Sequence, residues 1–134
     1  MRTLWLRDRA LDLDRVRLLG VLNLTPDSFS DGGRYLDPER ALERAREMVA
    51  EGADILDLGA ESTRPGAAPV PVEEEKRRLL PVLEAVLSLG VPVSVDTRKP
   101  EVAEEALKLG AHLLNDVTGL RDERMVALAA RHGV

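Results

Sequence analysis

The sequence predicts an α/β fold of parallel strands joined by helices, and three observations carry that expectation. Short apolar runs recur along the chain, each closing on one polar residue: Leu18 to Asn23, Ile55 to Asp57, Val93 to Asp96 and Leu113 to Asn115. Amphipathic helical stretches lie between and after these runs. A glycine precedes three of the runs, at Gly52, Gly90 and Gly110, as expected where a helix ends in a left-handed turn and re-enters a sheet. Parallel neighbours need a crossover, normally a right-handed helix, so strict alternation of strand and helix indicates one parallel sheet. Polar side chains at the carboxyl ends of such strands form the floor of a site.

The elements follow in order. Residues 3–13 alternate as a short hairpin, with Trp5 as a packing residue, and residues 1–15 form this preface to the repeating part. The first helix opens with Asp37 as N-cap and Pro38 at its first position, and places Ala41, Leu42, Ala45, Met48 and Val49 on one face. The second runs from about Val72 to Leu89. Its early Glu73, Glu74 and Glu75 suit the positive end of the helix, its apolar face carries Leu79, Leu80, Val82, Leu83, Val86 and Leu87, and Pro81 is expected to kink or interrupt it. A third helix opens at Pro100, turns Val102, Ala103, Ala106 and Leu107 inward, pairs Glu104 with Lys108 and stops at Gly110. The fourth runs from about Asp122 to His132, with basic residues in its last turn.

An open sheet of dinucleotide-binding type carries a glycine-rich turn directly after its first strand, and the segment from Asn23 to Gly33 has no such fingerprint. Four polar strand ends fit a (β/α)8 barrel better. A complete barrel takes roughly 200 to 250 residues, so residues 16–134 are expected to supply βα units one to four and, at Gly133-Val134, the start of a fifth strand, all within a single domain. The 134 residues are 44% apolar and 32% charged, as in a globular protein, and the interspersed net charge of −5 with 2% aromatics argues against a nucleic-acid surface. The absence of cysteine excludes a disulfide framework and thiol nucleophiles. With no long apolar run and no leader pattern, the expected location is the cytoplasm.

Two connections on the strand-end face exceed the roughly 2–6 residues usual for βα loops, which points to lids or substrate contacts. The first, Leu24 to Asp37, is dense in Thr25, Asp27, Ser28, Ser30 and Asp31. The second, from about Leu58 to Pro71, is polar and then stiffened by Pro65, Pro69 and Pro71. The segments Gly20-Val-Leu-Asn-Leu-Thr-Pro-Asp-Ser-Phe-Ser-Asp-Gly-Gly33 and Asp57-Leu-Gly-Ala-Glu-Ser-Thr-Arg-Pro-Gly66 resemble the two signature segments of the dihydropteroate synthase family. Val93 to Pro100 and Leu113 to Asp116 resemble that family's third and fourth strand ends in the same order. The resemblance spans essentially the whole chain and the amino-terminal half of the family's barrel.

The resemblance implies a transferase of folate biosynthesis, a sulfonamide target, that joins 6-hydroxymethyl-7,8-dihydropterin diphosphate to p-aminobenzoate and releases diphosphate with Mg²⁺ present. Asp96 and Asn115 are then pterin contacts, and the residue types suit the task, because carboxylate and amide groups can read the N–H-rich ring edge. Asn23 is implied to hold the metal, whose charge partners come from phosphate. Arg64 stabilises the departing diphosphate, Asp31 the cationic pterin side, Thr63 touches substrate, and Phe29 with Pro65 shapes the p-aminobenzoate pocket. No general base is demanded, since an aryl amine is already nucleophilic. The family is commonly homodimeric, and no nucleic-acid or membrane partner is implied.

Asp57 and Glu61 are read as structural hydrogen-bonding groups, Asp116 as pointing away from the site, and His112 and His132 as non-catalytic. Two other functional classes stay open. A pterin-barrel methyltransferase using a reduced folate shares the Asp and Asn strand ends, but would not be expected to carry Glu61 to Gly66. A non-catalytic half-barrel that pairs with another chain is the other reading. The family's further contacts come from later strands, so this chain alone is expected to be incomplete for catalysis.

Overall fold

The computed structural model describes residues 3–6, 9–14, 16–24, 38–60, 70–115 and 123–132, and within them the alternating pattern becomes two sheets. Strands β1 (Thr3–Leu6) and β2 (Arg9–Asp12) pair antiparallel as the expected hairpin. The repeating part then runs β3 (Leu19–Asn23), α1 (Pro38–Ala50), β4 (Ile55–Gly59), α2 (Val72–Leu87), β5 (Val93–Asp96), α3 (Pro100–Leu109), β6 (Leu113–Asn115) and α4 (Glu123–His132). Its four strands lie side by side in chain order, β3-β4-β5-β6, and every neighbouring pair is parallel. Sequential order without reversal is that of consecutive units of a (β/α)8 barrel rather than of a doubly wound sheet.

Alternation along each strand separates two faces. Leu22, Leu56, Leu58, Val93 and Val95 turn to the helical layer and are fully buried. They meet Ala41 and Ala45 of α1, Leu79, Val82, Leu83 and Val86 of α2, and Val102, Ala103, Ala106 and Leu107 of α3, the faces that helical periodicity predicts. Gly20 lies in the same layer, where a Cβ would come within 3.1 Å of both the Leu56 side chain and the Met48 sulfur. Its missing side chain lets α1 close on the sheet. On the opposite face Leu19 and Val21 remain half exposed, while Ile55, Asp57 and Ser94 are buried.

Helix ends follow their residues. Pro100 stands at the first position of α3, where its missing N–H costs nothing. Gly110 ends that helix at φ +118°, with Gly52 and Gly90 also at positive φ ahead of β4 and β5, as the left-handed re-entry turns require. At the sheet entrance, Arg17 donates to Asp54 Oδ1 at 3.2 Å and to the Asp12 carbonyl, while the Leu18 N–H donates to Asp54 Oδ2 at 2.9 Å. One guanidinium thus ties the hairpin to the start of β3 and β4.

Three expectations are corrected in whole or in part. Interruption at Pro81 does not occur, and helix α2 runs through it. Pro81 lies on the exposed side, and its lost N–H leaves the carbonyl one turn back, on exposed Arg77, within reach of water. Trp5 is 67% exposed rather than packed, because the hairpin forms its own two-stranded sheet and none of the described elements covers it. Strand β4 does not end at Asp57 but continues to Gly59, with consequences for the site.

Gly110→Ala is expected to destabilise the protein by about 1–2 kcal/mol, the cost of a side chain in left-handed backbone. A Cβ there meets nothing closer than Leu87 at 3.7 Å, so conformation rather than collision sets the effect. An unchanged urea midpoint would count against this.

Candidate functional site

The parallel register decides which side chains share a level. Asn23 pairs with Gly59, Gly59 with Asp96, and Asp96 with Asn115. These four residues therefore form one transverse rank at the carboxyl ends of β3 to β6, on the face away from the helices. The ladder continues one residue past the rank: Leu24 N–H donates to the Gly59 carbonyl at 2.6 Å and Thr97 N–H to the Asn115 carbonyl at 3.1 Å. Asn23 and Asn115 are exposed and Asp96 is half-buried, so the rank presents an amide, a gap, a carboxylate and an amide.

The gap is Gly59. A Cβ built there would lie 3.4 Å from the Asp96 Cβ and 3.6 Å from its Oδ2, so the glycine leaves a notch over which the Asp96 carboxylate sits. Asp57, expected in the strand-end set, occupies the next level down with Val21, Ser94 and Leu113. The two extra residues of β4 displace it, since alternate residues share a face and each step of two is one level. Asn115 nevertheless reaches it: Nδ2 donates to Asp57 Oδ2 at 3.3 Å. Inward side chains of alternate strands meet in this way when a sheet curves toward a barrel.

Asp57 is 4% exposed, and among the described residues its Oδ1 has no hydrogen-bond partner. Burial pushes its carboxyl above the usual aspartate range, while hydrogen bonds with Ser94 and Asn115 act in the opposite direction. The structural hydrogen-bonding role read from sequence is thus present on one oxygen only.

A group that sequence reasoning missed stands behind the rank. Glu75, taken for a helix-start acid like its neighbours, is 1% exposed. Its Oε2 accepts from Thr97 Oγ1 at 2.5 Å, its Oε1 from Lys99 Nζ at 2.6 Å, and Thr97 Oγ1 in turn accepts the Lys99 N–H at 3.2 Å. The first turn of α2 is thereby clamped to the turn that leaves Asp96. The signal was in the spacing, because Glu75 falls on the stripe of Leu79, Val82, Leu83 and Val86. At the exit of β4, Arg78 donates to the Ala60 carbonyl at 3.2 Å while held by Glu74 at 3.0 Å.

His112 is buried, its Nδ1 accepting the Val93 N–H at 3.1 Å, and His132 ends α4. Phe29, Asp31, Asp37, Glu61, Thr63, Arg64, Pro65, Asp116 and the restart at Gly133-Val134 lie outside the described residues. Among the described residues no three His, Cys, Asp or Glu side chains converge as a metal cage, and no helix is long and apolar enough to cross a membrane.

A carboxyl whose pKa is raised only in the folded chain favours folding when protonated. Its penalty is absent below the ordinary aspartate range and grows as pH rises through the raised value. Asp57→Asn keeps an acceptor for Asn115 and removes the charge. It is expected to stabilise the protein at pH 7 and to lose that advantage near pH ~3.5, measured as urea midpoints at both pH values. An equal gain at both would contradict the burial argument.

Comparison with known proteins agrees with this geometry. Residues 19–134 match the family model described as pterin binding enzyme. The dihydropteroate synthase of Bacillus subtilis (strain 168) is 50% identical over 123 residues, which cover 90% of this chain and 43% of that protein. Two solved structures of the Thermus thermophilus dihydropteroate synthase superpose with a TM-score of 0.83. The complex with 4-aminobenzoate is 88% identical and the complex with 6HMPPP 87% identical; the match covers 99% of this chain in both, and 46% and 47% of those chains. The chain thus spans a little under half the length of these relatives. By the family match and by the order of its strands, the chain belongs to the pterin-binding enzyme family.

Proposed function

We propose that the protein carrying this chain is a dihydropteroate synthase, joining 6-hydroxymethyl-7,8-dihydropterin diphosphate to p-aminobenzoate to give 7,8-dihydropteroate and diphosphate. The observation that carries the reading is the rank Asn23–Gly59–Asp96–Asn115, held by backbone register, in a chain similar to synthases solved with 4-aminobenzoate and with 6HMPPP. A half-buried carboxylate beside an exposed amide oxygen suits the N–H-rich ring edge of a dihydropterin. The notch at Gly59 leaves the Asp96 carboxylate room to meet a flat ring from above.

Asp96 and Asn115 bind and orient the pterin so that its methylene carbon faces the second substrate. Arg64 stabilises charge on the departing diphosphate, and Asp31 stabilises the cationic pterin. Thr63 contacts substrate, and Phe29 with Pro65 shapes the p-aminobenzoate pocket, into which a sulfonamide would compete. Asn23 fits a Mg²⁺ site of a particular kind. A single neutral amide oxygen at an exposed strand end suits an ion that keeps several waters and takes its anionic ligands from substrate phosphate. When bound there, the ion would neutralise charge on the leaving group. The long loops exclude water that would otherwise capture the cation. The working protein is read as a cytoplasmic homodimer.

Calorimetric titration of the full-length protein with the pterin diphosphate tests the reading. Asp96→Ala is expected to weaken binding about 10-fold or more, the scale of a hydrogen bond to a charged group. Omitting Mg²⁺ is expected to weaken the diphosphate ester while leaving 6-hydroxymethyl-7,8-dihydropterin itself unaffected. Equal binding by wild type and Asp96→Ala would remove Asp96 from the site.

A further inference from the structure

The buried carboxylate beneath the rank has no place in the chemistry above, yet it touches a residue that does. Asn115 carries an amide whose two ends have nearly the same shape but opposite hydrogen-bonding sense. Which end faces the ligand decides whether a donor or an acceptor is read at that position. The contact to Asp57 settles the choice, because an ionised carboxylate only accepts. Nδ2 of Asn115 lies 3.3 Å from Asp57 Oδ2, and the flipped amide would set two acceptors against each other. Oδ1 of Asn115 is thereby committed to the open side of the rank, where Asn115 is exposed.

Asp57 is poorly explained as a purely structural group. It is 4% exposed, and Oδ1 finds no partner among the described residues. An uncharged side chain of similar size would serve the fold better. Positions where a sequence departs from what packing favours are where function is expected.

We propose that Asp57 is the positioning residue that fixes the orientation of Asn115 and so selects a ligand edge offering an N–H donor over one offering a carbonyl acceptor. The inference rests on the pterin-binding reading and deepens it. It names a specificity determinant one level below the side chains that meet the ring. Asp57→Asn removes the constraint without removing the contact, since an amide can pair with either end of Asn115.

The test uses the full-length protein and two ligands, 6-hydroxymethyl-7,8-dihydropterin and the analogue in which a carbonyl replaces the 2-amino group. Affinities are measured by calorimetry for wild type, Asp57→Asn, Asn115→Ala and the double variant. Wild type is expected to prefer the pterin, and Asp57→Asn to reduce that preference by about 10-fold. In the Asn115→Ala background, Asp57→Asn is expected to change the preference no further, because nothing is left to orient. A merely structural Asp57 would alter binding of both ligands together and would do so with or without Asn115. If Asp57→Asn folds poorly, the ligand preference of Asp57→Ser is expected to fall likewise. A preference unchanged in a folded Asp57 variant, or one that shifts equally in both backgrounds, overturns the inference alone. Failure of the wild-type protein to bind the pterin overturns the functional reading as well.

Discussion

The structure depends on one constraint, the hydrogen-bond register of four parallel strands. A parallel ladder fixes which residues stand abreast, and a slip of one residue would turn every inward side chain outward. Asn23, Gly59, Asp96 and Asn115 come from distant parts of the chain and share a level only because Leu19 pairs with Ile55, Leu56 with Val93, and Ser94 with Leu113. The same ladder sends Leu22, Leu56, Leu58, Val93 and Val95 to the helices. Hydrophobic burial on one face therefore specifies the chemistry presented on the other.

Among the described residues two acids are buried behind that register, and their environments differ. Glu75 is fully matched: Thr97 and Lys99 complete its two oxygens at 2.5 and 2.6 Å, and the pair holds the exit of β5 beside Asp96. Such a buried pair contributes little net stability, because desolvation offsets its attraction. Its effect is positional, since the turn after Asp96 cannot move without uncovering a charge. Asp57 is bonded through Oδ2 to Asn115 of the rank above, and among the described residues its Oδ1 has no partner. A buried carboxylate left incompletely paired costs stability where it stands.

Much of this was legible in the sequence. The strand–helix alternation, the re-entry glycines at Gly52, Gly90 and Gly110, and the apolar faces of α1, α2 and α3 all follow from local periodicity and backbone preference. Asp96 and Asn115 stood out because an apolar run ends on each. What was not legible depended on contacts between distant segments. The true end of β4 is set by Leu24 bonding to the Gly59 carbonyl, a partner that no pattern within β4 reveals. Glu75 is buried because Thr97 and Lys99 arrive from another loop, although its place on the apolar stripe was visible. Trp5 is of a type that usually packs, and it is exposed because none of the described elements covers its side of the two-stranded sheet.

The rank at the strand ends is proposed to read the ring edge of a dihydropterin. The most direct measurement is a crystal structure of the full-length protein with 6-hydroxymethyl-7,8-dihydropterin diphosphate bound. The ring is expected above Gly59, with hydrogen bonds to the Asp96 carboxylate and to Asn115 Oδ1, and with Asn115 Nδ2 still donating to Asp57. A ring seated elsewhere, with Asp96 and Asn115 bonded only to protein or water, would contradict it.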